Sequence, residues 1–205
     1  MTYLVTSRAY LERMKARMDE GTDEALFYAA LELRCGVEAR MQEYVETIEH
    51  LPKASRDQWE IAKLRRSLES AYRTGDKTLI YCFEFPDGAQ MQLTFFPVMK
   101  RLQTLAEKMG NYLHAVKPNR AAKAGWTNAM REHLKEAYPL LLMATSGELV
   151  GLPLVNRETG KFKVKAEIAQ GDPRHPLIVR LVNGARPCVS IIDIEPRGPI
   201  TYYEN

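Results

Sequence analysis

The sequence predicts an α+β fold: mainly an α-helical bundle, with an inserted β-hairpin and a small C-terminal antiparallel β-sheet. Three observations predict it. Apolar residues recur at helical spacing through most of the chain up to about residue 138. The run TLIYCFEF, then PDG, then AQMQLTFF interrupts them with β-branched and aromatic residues around a turn. From Ser146 onward, short apolar runs alternate with turn residues. The expected organisation is a helical domain over 1–145, with the hairpin at 78–96, followed by a small β-rich extension over 146–205.

In chain order, a short helix is expected over 7–19, begun by Thr6 or Ser7. A long one follows over 23–49, capped by Thr22. Its positions Leu26, Ala30, Leu33, Val37, Met41, Tyr44 and Ile48 step by four and three, which draws one apolar stripe along a helix. Pro52 ends it. ASRDQWE then offers Ser55 as N-cap, with Gln58 three residues on. That predicts a helix over about 56–73 burying Trp59, Ala62 and Leu68, closed by Gly75. After the hairpin, Pro97 sits where a helix would begin, and Val98, Leu102, Leu105, Met109 and Leu113 form the next stripe. A further helix is expected over about 120–138 with Trp126, Met130, Leu134 and Ala137 inward, kinked or stopped by Pro139. ELVGLPLV, KFKVKAEI, PLIVRLV and RPCVSIIDI read as four strands of the C-terminal sheet.

Composition narrows the function classes. With 205 residues, 45% hydrophobic and 27% charged, the chain has the balance of a globular protein. No run approaches eighteen apolar residues, so no transmembrane helix is expected. The start, MTYLVTSRAYLERMK, lacks the apolar core of a signal peptide. Cys35, Cys82 and Cys188 are widely spaced in apolar contexts, which suggests buried thiols and a cytoplasmic protein. The four histidines, His50, His114, His133 and His175, include no pair three or four residues apart, and CxxC and HExxH are missing. Phosphate-cradling glycine loops and a GxSxG elbow are also missing. Neither metal nor cofactor is expected.

Charge is uneven. The net charge of +3 hides a segment, 100–136, that holds 8 Lys/Arg against 3 Asp/Glu. Lys117, Arg120 and Lys123 lie in its middle. Such a patch suits an anionic ligand such as nucleic acid, or it is a solvated basic loop. Just before it stands KMGNYLHA, which places Lys108, Asn111 and His114 at the end of a helix. His114 has an imidazole that titrates near neutral pH, and it flanks the stripe with Asn111 and Glu107. Lys108, six residues earlier, would lie about 120° away on a regular helix. It meets His114 only if the helix loosens at Gly110 or a second protomer brings its copy close. A histidine at a helix C-terminus is alternatively a favourable partner of the helix dipole. In LELRCGVEAR, Arg34 and Glu38 make an i,i+4 ion pair beside the apolar stripe, read here as structural.

The order of a long helix carrying ALELRCGVE, a second helix, and a helix ending in GNYLHA resembles the HEPN superfamily (higher eukaryotes and prokaryotes nucleotide-binding domains) over about residues 22–140. The resemblance implies a helical bundle that commonly dimerises. Its active members are metal-independent endoribonucleases of toxin or defence type, with an Arg, four to six residues, then His. Here Lys108 stands at the arginine position, and Asn111 comes three residues later rather than directly after it. Carried over, the resemblance implies attack of an RNA 2′-hydroxyl on the adjacent phosphate. His114 would be the general acid or base, Lys108 would stabilise the phosphorane, and Asn111 would orient the phosphate or the imidazole. Lys117 and Arg120 would hold flanking phosphates. Two alternatives stand beside it: a non-catalytic dimerising module that binds a nucleotide, nucleic acid or protein, and a protein whose partner binds through the C-terminal β region.

Overall fold

The computed structural model describes residues 4–114, 125–166 and 171–195. Among these are seven helices and five strands, and the expected α+β architecture is present. Helix α1 spans Ser7–Glu20 and α2 spans Asp23–Thr47. Both begin on a threonine: the Thr6 and Thr22 hydroxyl oxygens accept from the amides of Ala9 and Ala25, three residues on. Every residue of the α2 stripe is buried, from Leu26 to Ile48. This helix is the spine of the molecule, contacting α1 and the two long helices that follow the hairpin.

The next segment departs from expectation. Residues Lys53–Arg56 form a single turn, α3, and α4 starts only at Ile61, ending at Tyr72. Gln58 does not close a capping box; its Oε1 accepts from the amides of Trp59 and Glu60 at 3.0 Å. The bonds hold the chain in a local turn that competes with the helix start. Ile61, Leu64 and Leu68 are buried, whereas Trp59 is 64% exposed and Ala62 also faces out. The helix closes at Arg73 in the left-handed region (φ 56°), ahead of Gly75.

Strands β1 (Thr78–Glu84) and β2 (Gln90–Phe95) form the expected hairpin. Helix α5 spans Lys100–Leu113, three residues after Pro97, and its first amide, Lys100 N, donates to Asp76 Oδ1 at 2.8 Å. Helix α6 spans Trp126–Ser146 and runs through Pro139. A proline inside a helix removes one backbone bond. Here Leu141, Met143 and Ala144 beyond it are buried, and that burial keeps the last two turns helical.

The C-terminal segments do not form one sheet of their own. β3 (Leu149–Val155) and β4 (Phe162–Lys165) pair with each other. β5 (Cys188–Ile194) instead pairs with β1 over seven positions, giving the order β2-β1-β5. PLIVRLV, expected as a strand, is part of helix α7 (His175–Val182). Pro176 sits in the first turn, where a missing amide costs nothing, and Ile178 and Leu181, three apart, are its buried residues. The thiols also differ from expectation: Cys35 and Cys82 are half-buried and Cys188 is exposed, all three free. Among the described residues no helix is long and apolar enough to cross a membrane.

Candidate functional site

Helix α5 has one core face and two polar flanks. Leu102, Leu105, Ala106 and Met109 are fully buried. On a 100° wheel, Gln103, Glu107, Gly110 and His114 line up on one side of them, and Arg101, Lys108 and Tyr112 on the other.

The first flank meets α2. Gln103 is 2% exposed, and its Nε2 donates to Glu107 Oε1 at 2.7 Å. One turn further on, Gly110 has no side chain, and Arg34 of α2 occupies the space. A Cβ built there would stand 2.8 Å from Arg34 Nη1. Arg34 Nε donates to Glu38 Oε1 at 3.1 Å, so the expected ion pair forms and lies across α5. His114, four residues after Gly110, is the C-cap: its backbone is extended (φ −75°, ψ 153°) and its amide donates to Gly110 O at 3.1 Å. His114 is exposed.

The second flank meets α6 and gathers more chemistry. Arg101 bonds Glu136 through two nitrogens, Nη2 at 2.6 Å from Oε2. That contact holds the Glu136 carboxyl below its ordinary range. The Tyr112 hydroxyl lies 3.4 Å from His133 Nδ1. Burial is the main cause that lowers the His133 pKa, and the Lys108 charge lowers it further. Burial also raises the Tyr112 phenol. Both shifts favour one arrangement at neutral pH, with the phenol donating to a neutral imidazole. Rings continue the row: Tyr112 to Trp126 at 5.1 Å and Trp126 to Phe27 of α2 at 5.6 Å.

The three residues of KMGNYLHA are therefore divided. Lys108 faces α6, His114 is on the α2 side, and Asn111 is exposed on the back of the helix between them. Helix α5 stays regular through Gly110, so within one protomer the loosening that would join Lys108 to His114 does not occur. His114 is instead on the flank of Arg34, which the sequence presented as structural. Lys108 acts on His133, which sequence reasoning passed over. A signal was available: Arg101, Lys108 and Tyr112 are spaced seven and four apart, one row of a helix. Trp126, His133 and Glu136, at seven and three, form the row that faces it. Lys117, Arg120 and Lys123 lie outside the described residues.

Other polar clusters tie elements together. Glu43 of α2 accepts from the Ser7 amide and hydroxyl, both at 2.8 Å, and from buried Arg40, whose Nη2 donates to Gly147 O at 2.7 Å. These groups line a cavity of about 260 Å³ and join the start of α1 to the end of α6. Arg174 bonds Glu148 at 2.7 Å and Asp172 at 2.8 Å, and Glu148 Oε2 accepts from Thr94 N, fastening α7 to β2. Among the described residues no group of three or more His, Cys, Asp or Glu side chains is arranged to hold a metal ion. Protein-family models, curated proteins and solved structures were compared with the chain, and none matches it.

Proposed function

We propose that this chain is a HEPN-like nucleic-acid-associated protein that binds single-stranded RNA beside the C-terminal half of α5, with His114 as the acid–base group of a metal-independent cleavage. The observation that supports it is the placing of Arg34 over Gly110, four residues before the helix-capping His114, and of Lys108 beside His133 on the other flank. This grouping stands at the point where the chain enters the segment bearing Lys117, Arg120 and Lys123.

In this reading the 2′-oxygen bonds to phosphorus, the bond from phosphorus to the 5′-oxygen breaks, and a cyclic phosphate and a free 5′-hydroxyl result. His114 takes the proton of the attacking hydroxyl. The leaving oxygen takes its proton from solvent, or from His114 of a second protomer in the homodimer that the resemblance implies. Arg34, on the His114 flank, is better placed than Lys108 to stabilise the charge on the phosphorane, and its guanidinium suits phosphate geometry. Lys108 then holds a neighbouring phosphate. Asn111, exposed on the back of α5, orients the substrate between the two flanks.

A second reading has its own support. Lys108 and His114 share no flank and α5 is unbroken, which favours a dimerising module that binds RNA without cutting it. Incubating labelled single-stranded RNA in EDTA with the protein and with His114→Ala separates the two. Cleavage by the parent that the variant loses supports the first reading, whereas none by either, or equal cleavage by both, leaves binding alone. Binding is then tested by reversing charge at Lys117, Arg120 and Lys123. Affinity that is already independent of salt, or unmoved by the reversal, removes nucleic acid as the ligand. Gel filtration reads the dimer directly: a strict monomer excludes a site completed by a second copy.

A further inference from the structure

The rings on the α6 flank of α5 stand at the edge of the core, against which Phe27 and Tyr112 pack. The buried stripes of the two helices are Leu102, Leu105 and Met109 on α5, and Met130, Leu134 and Ala137 on α6. Phe27, Trp126, Tyr112 and His133 border those stripes and are half-buried, Trp126 standing at the edge of the stripe in which it was expected to face inward. Their contacts are inclined: 44° between Phe27 and Trp126, 48° between Tyr112 and Trp126, and 61° between Tyr112 and His133. None is a parallel stack, in which one ring would cover the face of another. The row thus presents aromatic surface at the mouth between two helices.

A cation stands beside it. Arg101 is neutralised by Glu136, but Lys108 has no hydrogen bond or ion pair among the described residues, while its charge is felt at His133. A half-buried aromatic row next to an ammonium that bonds no carboxylate among the described residues, though it acts on Glu136 through its charge, suits a flat, π-faced group that carries an anion. An unpaired nucleobase on its phosphodiester has that composition. A base inside a duplex has both faces covered and cannot use such a surface.

We infer that Trp126 and Tyr112, with Lys108 beside them, form a stacking site for an unpaired nucleobase, so that single-stranded RNA is held by its bases as well as its phosphates. The inference rests on the RNA reading above and names the part of the ligand that this flank takes. It also assigns Trp126 and Tyr112 roles that charge alone does not supply.

The test uses the full chain with Trp59→Phe. Trp59 is 64% exposed, and its replacement leaves Trp126 as the sole tryptophan. An eight-residue oligouridylate and an abasic ribose-phosphate chain of equal length are titrated, with fluorescence anisotropy of labelled ligand for binding and Trp126 emission for stacking. The oligouridylate is expected to quench Trp126 and to bind roughly 5- to 150-fold more tightly than the abasic chain. Tyr112→Leu should close most of that gap. Lys108→Gln should weaken both ligands alike and lower the salt slope by about one. Equal binding of the two ligands with unchanged Trp126 emission overturns the stacking site and leaves the RNA reading intact. Absence of binding to either, in the parent chain as well, overturns both.

Discussion

The two flanks of α5 are built from the same helix and do different work. Toward α2 the contact is tight: Gln103 is buried and bonded to Glu107 through Nε2, with its Oε1 left without a partner among the described residues, and a glycine makes room for a guanidinium that is already paired to Glu38. Toward α6 the contact is looser, with a long phenol–imidazole approach, inclined rings and an ammonium without a partner among the described residues. Tight, paired groups contribute to register and stability, whereas half-buried, unpaired ones are free to meet a ligand. On that difference rests the proposal that the α6 flank takes a ligand while the α2 flank holds its groups in place.

The largest test removes the support that both flanks share. Leu105→Ala, at a fully buried site, should cost about 2–5 kcal/mol in urea unfolding. A loss below about 1 kcal/mol would show that the core face of α5 does not hold its flanks in place.

Next comes the asymmetry itself. Arg34→Ala, which breaks a half-buried ion pair, should lower stability by about 0.5–1 kcal/mol, and Lys108→Ala by close to nothing. Equal effects would erase the distinction between a positioning flank and a binding one.

The pH dependence sharpens the α6 side. His133 has a lowered pKa in the folded protein, so between that value and its ordinary 6.5 the unfolded chain binds the extra proton. Stability should therefore be full above about 6.5 and fall as pH drops through the folded value. In His133→Gln the decline of the urea midpoint between about pH 7 and 5 should be shallower. An unchanged profile would mean that the imidazole is not held neutral by burial and by Lys108.

A small effect is also expected at Gly110. An alanine there gains about 1 kcal/mol of helix propensity but displaces the mobile end of Arg34, so the net change should stay within about 0.5 kcal/mol. A larger loss would show that Arg34 cannot yield, and that the close approach is itself essential.

Much of the helical frame was legible because periodicity is local. The α2 stripe, the threonine caps and the hairpin can each be read from a few consecutive residues. All the misses but the first share a cause: a partner distant in sequence decided them. Trp59 is exposed because Gln58 takes the local amides and delays α4. PLIVRLV reads as a strand until Ile178 and Leu181 find a surface to bury against. Pro139 does not end α6, because the residues beyond it are buried. His133 was overlooked for the same reason, since its neighbours Tyr112 and Lys108 come from another helix.

By itself the sequence determined the α+β class, the long amphipathic helices, the Arg34–Glu38 pair and the concentration of positive charge around α5. These depend on spacing within one element and on composition. Only the tertiary structure decided that β5 joins β1, that Arg34 crosses Gly110 toward the His114 flank, and that Lys108 turns to His133 and the aromatic row. The physical reason is rotational: a regular helix separates positions 108 and 114 by about 120°, and which neighbour each meets depends on how α2 and α6 pack around α5.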